Sequence, residues 1–280
     1  MTPTQSIEAF CHRTLGPCTV HPRPSERCGH RSHIASVTDA RGRRYIVKVH
    51  ASVEKHQREV HAYTQWTAPA LGRHAPRLVA VDPELPGMLL TALPGAPPDA
   101  QAPLHVHWQA GMLLRRLHDN QPPRPLPAYA DHLASRLDHW LANAAGLLST
   151  AEQRLIRRHV SAIAGLPVPA GVACHLDYQP RNWLMDHTGA VGIVDFEHAR
   201  IDTAARDLVR LAHRHWHGHP DQRAAFLDGY GRQLTPIEQQ LLTHCAALDA
   251  VTSIVRAHQT NDARLAEHGR ATLAQLPPPP

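Results

Sequence analysis

The apolar positions of the first hundred residues fall into short alternating runs that are typical of β-strands. β-Branched runs at residues 34–38 and 45–49 flank a loop that ends in Gly42, which predicts a β-hairpin. Two further runs, at residues 78–82 and 88–92, predict two more strands. This part of the chain is therefore predicted to be rich in β-sheet.

One segment of this region has helical periodicity instead. Val53, Val60 and Tyr63 fall near one face of a helix predicted to reach residue 66, and Ser52 precedes them as an N-cap. The proline- and glycine-rich residues 93–98 break regular structure and predict a linker.

The pattern after the linker is mainly helical. Helices are predicted over residues 105–118, 129–148, 150–164, 202–217, 221–229, 236–259 and 262–275, with short strand-like pieces between residues 172 and 195. A β-rich front and a helical back predict an α+β protein with two lobes, residues 1–93 and 94–280.

The composition excludes several classes of protein. The 280 residues are 42% apolar, yet no run approaches the roughly 18 apolar residues that a membrane span needs. The first ten residues lack the basic and apolar segments of a secretory signal. The five cysteines are scattered without a CxxC pair, so we expect reduced thiols. These features predict a soluble, cytoplasmic protein with no membrane partner.

The basic residues are unevenly divided between lysine and arginine. The formal charge is +5 and no basic run is longer than two residues, so no nucleic-acid partner is expected. Of the 29 basic residues, only Lys48 and Lys55 are lysines. Because Lys48 lies within an apolar strand of an arginine-rich chain, we infer that this position requires a compact ammonium group.

Polar residues with metal-binding and acid–base chemistry cluster in the second half. His175, Asp177 and Asn182 lie in a proline-containing loop, and Asp195 follows an apolar strand. A carboxylate and a carboxamide oxygen are hard ligands suited to Mg²⁺, and a second carboxylate can orient or deprotonate a hydroxyl. The sequence has no GxxxxGK, GxGxxG, GxSxG or HExxH motif, so the simplest signatures of four other chemistries are absent.

An ammonium in the middle of an apolar strand must find an anion. Glu59 is the favoured partner of Lys48 because it borders the apolar face of the predicted helix, whereas Glu54 lies on the polar face. A lysine held by a glutamate, together with aspartate and asparagine ligands for a metal, is the layout of phosphoryl transfer.

These residues together resemble the aminoglycoside phosphotransferase family, which is related to choline kinases and distantly to protein kinases. The sequence His175-x-Asp177-x-x-x-x-Asn182 is similar to that family's catalytic loop, and Asp195-Phe196 is similar to its metal-binding motif. The segment from Asp202 to Leu208 resembles the one that follows. The resemblance spans about residues 18–260 and implies a protein-kinase-like fold with a β-rich N-lobe and a mainly helical C-lobe.

The resemblance implies a role for each matching residue. Asp177 would be the catalytic residue, and Asp207 would brace its loop. The nucleotide and metal residues implied are Lys48 with Glu59 at the phosphates, Gly29 and Ser32 in the phosphate loop, Thr91 and Leu93 at the adenine, and Asn182 and Asp195 as Mg²⁺ ligands. Leu176, Arg181 and Glu197 depart from the family pattern, and so does a phosphate loop with a single glycine.

The family's activity is phosphorylation of a small molecule, with Mg²⁺ and ATP, or GTP as the alternative donor. The favoured acceptor is an antibiotic, an aminoglycoside or a tuberactinomycin-type peptide, with Glu197, Asp202 and Asp221 as candidate acceptor-binding acids. Two alternatives stay open: a metabolic kinase for choline, homoserine or an amino sugar, and a pseudokinase that binds nucleotide without turnover. The sequence has no signal for an oligomeric state.

Overall fold

A five-stranded antiparallel sheet dominates the first part of the chain. Its strands are β1 (Cys18–Pro22), β2 (His33–Asp39), β3 (Arg44–Val49), β4 (Leu78–Val81) and β5 (Gly87–Thr91), in the spatial order β1-β2-β3-β5-β4. All four pairings are antiparallel, and β2 and β3 form the predicted hairpin.

The computed structural model describes residues 3–22, 32–99 and 101–278. The chain divides into two compact units, one of Met1–Ala102 with Pro180–Arg200 and one of Pro103–Gln179 with Ile201–Pro280. The first unit takes in residues 180–200 because β8 (Trp183–Met185) bonds to the linker through Ala96. The division into functional lobes at residues 1–93 and 94–280 remains a prediction from the sequence.

One helix of the first unit was not expected from the sequence. Helix α1 (Pro3–Leu15) packs Ile7, Phe10 and Cys11 against the buried face of the sheet, where Val37 and Val47 are fully buried. These three side chains recur at helical spacing, and their burial stabilises a helix that precedes the sheet.

Helix α2 (Val53–Ala62) carries the residues expected to support Lys48. The Ser52 hydroxyl accepts the Lys55 N–H, so the predicted N-cap is confirmed. The chain continues through a π-helical turn, Tyr63–Thr67, into the short helix α3 (Ala68–Leu71), so the helical region runs past the predicted end at residue 66.

The second unit is built mainly from helices. They are α4 (Leu104–His118), α5 (Tyr129–Ala142), α6 (Thr150–Ala162), α7 (Ala205–Arg210), α8 (Pro220–Tyr230), α9 (Pro236–Thr260) and α10 (Ala263–Ala274). Its strands β6 (Arg124–Pro125), β7 (Ala170–Cys174) and β10 (Arg200–Thr203) form a small sheet in the order β10-β7-β6. The core lies around α9, whose buried residues include Leu248 and Val251. Every helix in the described ranges is too short or too polar to span a lipid bilayer.

Two predicted helices of this unit have a bound that lies several residues from the one in the structure. The helix predicted over residues 129–148 ends at Ala142. The helix predicted from residue 202 begins at Ala205, because Asp202 lies in β10 and accepts hydrogen bonds from the Tyr129 hydroxyl and the Thr203 N–H. The sequence pattern of an aspartate just before an apolar run is the same whether the aspartate begins a helix or lies in a strand before it.

Helices α4 and α8 approach each other closely at two glycines. A Cβ atom on Gly111 would lie 2.0 Å from the Phe226 carbonyl oxygen, and one on Gly229 would lie 1.9 Å from the Trp108 carbonyl oxygen. Both obstacles are backbone atoms, which cannot move aside as a flexible side chain can. The backbones therefore touch only because neither position carries a side chain.

We expect Gly111→Ala and Gly229→Ala each to lower the free energy of unfolding by about 3 kcal/mol, because the two helices must separate to admit a methyl group. Urea unfolding followed by circular dichroism measures this. The matched control is Gly165→Ala, since a Cβ there meets nothing within 4 Å. Equal stability of all three variants would contradict the close crossing.

Candidate functional site

Lys48 is the centre of a buried charge cluster in the first unit. The residue is 5% exposed. Its ammonium lies 2.6 Å from Asp195 Oδ1, 2.8 Å from Glu59 Oε2 and 3.4 Å from Glu197 Oε2. The predicted pairing of Lys48 with Glu59 is therefore confirmed. Glu54, the less favoured partner, instead pairs with Arg58 on the same helix.

Glu59 joins three separate parts of the first unit. It is 1% exposed, and its Oε2 contacts both Lys48 on β3 and His50 Nε2, the latter at 2.6 Å. Its Oε1 accepts the backbone N–H of Phe196 at 3.2 Å. One carboxylate therefore fixes the lysine and the backbone beside Asp195.

Lys48 and Glu197 stabilise each other's ionised forms, whereas burial, together with Glu59 and Glu197, raises the pKa of Asp195 against the attraction of Lys48. Burial lowers the pKa of Lys48, but the carboxylates of Asp195, Glu59 and Glu197 outweigh it and leave the pKa raised. Burial raises the pKa of Glu197, but Lys48 and Lys55 outweigh it and bring that pKa to about 2. The Lys48 ammonium and the Glu197 carboxylate are therefore both charged at neutral pH.

Asn182 and Asp195 are brought together by a short hairpin of β8 and β9 (Val191–Ile193). The Val194 N–H donates to the Asn182 carbonyl at 3.0 Å, which places Asp195 directly beyond this contact. Strand β9 ends at Ile193, two residues before Asp195. Asp195 has a φ of 70°, which lies in the left-handed region that is unfavourable for a residue other than glycine. A carboxylate and an amide on adjoining segments fit the oxygen ligands that Mg²⁺ prefers.

The other predicted nucleotide residues are partly described. Gly29 lies outside the described residues. The Ser32 hydroxyl donates to Glu197 Oε2 at 3.2 Å. The Thr91 N–H donates to the Arg77 carbonyl, and the Leu93 side chain lies beside Gly192.

Asp177 is buried in the second unit and held by two donors. It is 2% exposed, and its Oδ1 accepts from Gln179 Nε2 at 2.6 Å and from the Arg210 guanidinium. Arg210 was not expected from the sequence, because its partner lies 33 positions earlier in the chain. The only sequence signal is a basic residue one helical turn after Asp207.

Asp207 holds the backbone of the loop that carries Asp177. Its carboxylate accepts the N–H groups of His175 and Leu176 and a third hydrogen bond from His118 Nε2 at 3.0 Å. Leu176 has a φ of 62°, so these bonds stabilise a backbone conformation that is otherwise unfavourable. The predicted bracing contact of Asp207 is confirmed.

Arg210 also belongs to a partly buried ion-pair network. Its Nε donates to Asp249 Oδ1 at 3.0 Å, and Asp249 Oδ2 pairs with Arg214. Burial raises the pKa of Asp249, but the two arginines outweigh it and lower that pKa to about 2. The position of Arg210 therefore depends on a carboxylate that sequence reasoning did not single out.

The three predicted acceptor-binding acids have different settings. Glu197 lies in the first unit, against Lys55 and Lys48. Asp221 is exposed in the first turn of α8. Asp202 is 2% exposed and accepts a hydrogen bond from the Tyr129 hydroxyl, so its carboxylate has a partner within the second unit.

Two further groups of side chains have possible metal ligands within 4.8 Å of one another among the described residues. In His118, Cys174 and Asp207, the carboxylate is already engaged by the loop backbone. In the group of His50, Glu59 and Glu197, the Lys48 ammonium already supplies the positive charge. Neither group needs a metal to explain its geometry.

Residues 31–248 match the model of the phosphotransferase enzyme family. The chain belongs to this family. The match covers the lysine strand, the loop of Asp177 and the Asp195 motif, so the resemblance stated from the sequence is confirmed. The predicted enzyme class, a small-molecule kinase that uses an alcohol as acceptor, is confirmed at the level of this family.

Several solved structures share the fold of this phosphotransferase. A macrolide 2'-phosphotransferase from Brachybacterium faecium is 17% identical with a TM-score of 0.66, and covers 99% of each chain. A spectinomycin phosphotransferase in complex with ADP and spectinomycin is 15% identical with a TM-score of 0.64, covering 99% of this chain and 95% of that one. A choline/ethanolamine kinase family protein from Mesorhizobium loti is 18% identical with a TM-score of 0.66, covering 99% and 94%.

These similarities confirm the α+β, protein-kinase-like fold class with a sheet-rich N-terminal region and a helical remainder. No curated protein matches the sequence of the chain.

We expect Asp249→Asn to destabilise the phosphotransferase by about 2 kcal/mol at pH 7, because two partly buried arginines lose charged hydrogen bonds to a shared carboxylate. The folded-state pKa of Asp249 lies below its usual 3.8, so its contribution is complete above that pH and is lost as pH falls towards 2. The difference between parent and variant should therefore narrow as pH falls below about 4.

Urea unfolding of both proteins from pH 7 to pH 3 measures this effect. Asp138→Asn is the matched control, because its pair with Arg157 is exposed and worth about 0.5 kcal/mol or less. If Asp249→Asn lowers the free energy of unfolding no more than the control does, the contacts of Asp249 with the two arginines do not stabilise the protein.

Proposed function

We propose that this phosphotransferase transfers the γ-phosphoryl group of ATP, with Mg²⁺, to a hydroxyl of a small-molecule antibiotic and so confers resistance. The favoured acceptors are an aminoglycoside and a tuberactinomycin-type peptide. The observation that carries the proposal is the buried Lys48, which Glu59 holds beside Asp195 in the first unit. A buried ammonium is costly unless it is well partnered, and the phosphate chain of ATP is an anion that such an ammonium can bind.

The first unit supplies the donor side of the reaction. Asp195 is the partner that Lys48 gives up when the phosphate chain of ATP arrives, while Glu59 keeps the lysine in place. Asn182 and Asp195 would hold Mg²⁺, which neutralises charge on the phosphates when bound. The fit rests on their hard oxygen atoms and on the attraction of Asp195 for a cation, seen in its contact with Lys48.

The second unit supplies the acceptor side. Asp177 accepts the proton of the acceptor hydroxyl as its oxygen forms a bond to the γ-phosphorus, and the bond to the β–γ bridging oxygen breaks to release ADP. Arg210 and Gln179 hold Asp177 Oδ1, so the carboxylate is oriented before the acceptor binds. Asp207 fixes the backbone of the same loop.

An antibiotic acceptor is supported by the similar solved structures, one of which holds ADP and spectinomycin and another of which is a macrolide 2'-phosphotransferase. Phosphorylation adds about two negative charges to a drug and would spoil its fit to an anionic target. A metabolic kinase is the second candidate, because a choline/ethanolamine kinase family protein is equally similar in fold.

We expect Asp177→Ala to abolish turnover while the affinity for Mg-nucleotide stays within a few-fold of the parent. The reason is that Asp177 acts on the acceptor, whereas Lys48 and Asp195 bind the donor. Calorimetry with a non-hydrolysable ATP analogue measures affinity, and a coupled ADP-release assay measures turnover. Asp131→Ala, an exposed residue in the first turn of α5, is the control and should keep the parent rate. Retention of most of the rate by Asp177→Ala would overturn the assignment.

An acceptor panel separates the candidate functions. We expect ADP release with one antibiotic class among aminoglycosides, tuberactinomycins and macrolides, and little with choline, homoserine or amino sugars. Expression in a susceptible bacterium should raise the inhibitory concentration of that antibiotic, and the Asp177→Ala protein should not. Response to a metabolite alone would favour the metabolic kinase. Nucleotide binding without turnover on any acceptor would favour a pseudokinase.

A further inference from the structure

Both lysines of the chain contact the same carboxylate, Glu197. The Lys55 ammonium lies 2.8 Å from Glu197 Oε1, and the Lys48 ammonium lies 3.4 Å from Oε2. The other 27 of the 29 basic residues are arginines, which are spread along the sequence. The only two compact ammonium groups on side chains therefore converge on one anion in the first unit.

Glu197 is surrounded by donors on both of its oxygen atoms. Besides the two lysines, the Ser32 hydroxyl donates to Oε2 at 3.2 Å, and His198 Nε2 lies 3.4 Å from Oε1. The side chain of Glu197 is 15% exposed. Two ammonium groups, a hydroxyl and an imidazole around a pair of oxygen atoms are the environment that a phosphate group also requires.

Lys55 has no evident structural reason to be a lysine. It lies in the first turn of α2, where the helix dipole disfavours a cation, and its side chain is 28% exposed. Neighbouring Arg58, which pairs with Glu54, shows that arginine serves where only a surface ion pair is needed. The contact with Glu197 is what distinguishes Lys55 from the other basic residues of this helix.

We propose that Lys55 binds a phosphate group of the nucleotide donor, and that Glu197 occupies this phosphate position when no nucleotide is bound. The inference rests on the proposed function, since it assumes that Lys48 meets the phosphate chain. Glu197 has three rotatable bonds, so it can leave the position without a change in the backbone. Nucleotide binding then exchanges one anion for another at Lys55 and Ser32.

The proposal predicts opposite effects for the two members of the pair. Lys55→Met should weaken binding of a non-hydrolysable ATP analogue with Mg²⁺ by about ten-fold, because a charged hydrogen bond to phosphate is lost. Glu197→Gln should tighten the same binding several-fold, because the competing negative charge is removed. Lys55→Gln serves as a second variant, and Arg58→Met on the same helix should bind within two-fold of the parent.

Calorimetry of these variants, together with their melting temperatures, tests the proposal. Weakening by Lys55→Met and Lys55→Gln with tightening by Glu197→Gln would support it. If all three variants weaken binding equally and lower the melting temperature, the pair is a structural clamp and the proposal is overturned. Binding within two-fold of the parent for both Lys55 variants also overturns it. If the parent binds no nucleotide, the proposed function itself fails. If the parent binds nucleotide and the Lys55 variants bind it equally well, only the proposal about Lys55 fails.

Discussion

The buried pair of Lys48 and Glu59 is the constraint on which the first unit depends. Two opposite charges that are almost fully removed from water are costly unless each satisfies several partners. Here the lysine contacts three carboxylates, and the glutamate also binds His50 and the backbone of Phe196. The same contacts join β3, α2 and the segment of Asp195, so the charge that serves the chemistry also fixes the elements that carry it.

In the second unit, hydrogen bonds and ion pairs hold the Asp177 carboxylate and its loop in place. The Asp207 carboxylate accepts two backbone N–H groups of this loop, and Asp177 is held by Arg210, which in turn is held by Asp249. A carboxylate at the end of such a relay cannot rotate freely. The orientation of Asp177 therefore depends on the packing of the helices, because α7 supplies Arg210 and α9 supplies Asp249.

Local pattern predicted much of the fold and part of the site. The hairpin of β2 and β3, the N-cap at Ser52 and the pair of Lys48 with Glu59 all follow from periodicity within about fifteen residues. Arg210 and Asp249 could not be found in this way, because Arg210 meets Asp177, and Asp249 meets Arg210, only through tertiary packing. The helix predicted to begin at Asp202 was wrong for a related reason. An aspartate can precede a helix or lie in a strand, and the contact with Tyr129, which places Asp202 in β10, comes from tertiary packing.

The scarcity of lysine has a practical meaning for work with this protein. Apart from the chain's α-amino group, the only primary amines are those of Lys48 and Lys55, and both lie against Glu197. Because Lys48 is almost fully buried, amine-reactive labels, cross-linkers and coupled surfaces attack Lys55 or the α-amino group and leave the remaining surface untouched. Immobilisation through amines would therefore modify the region under investigation, whereas protection of Lys55 from a reagent would report directly on what occupies it.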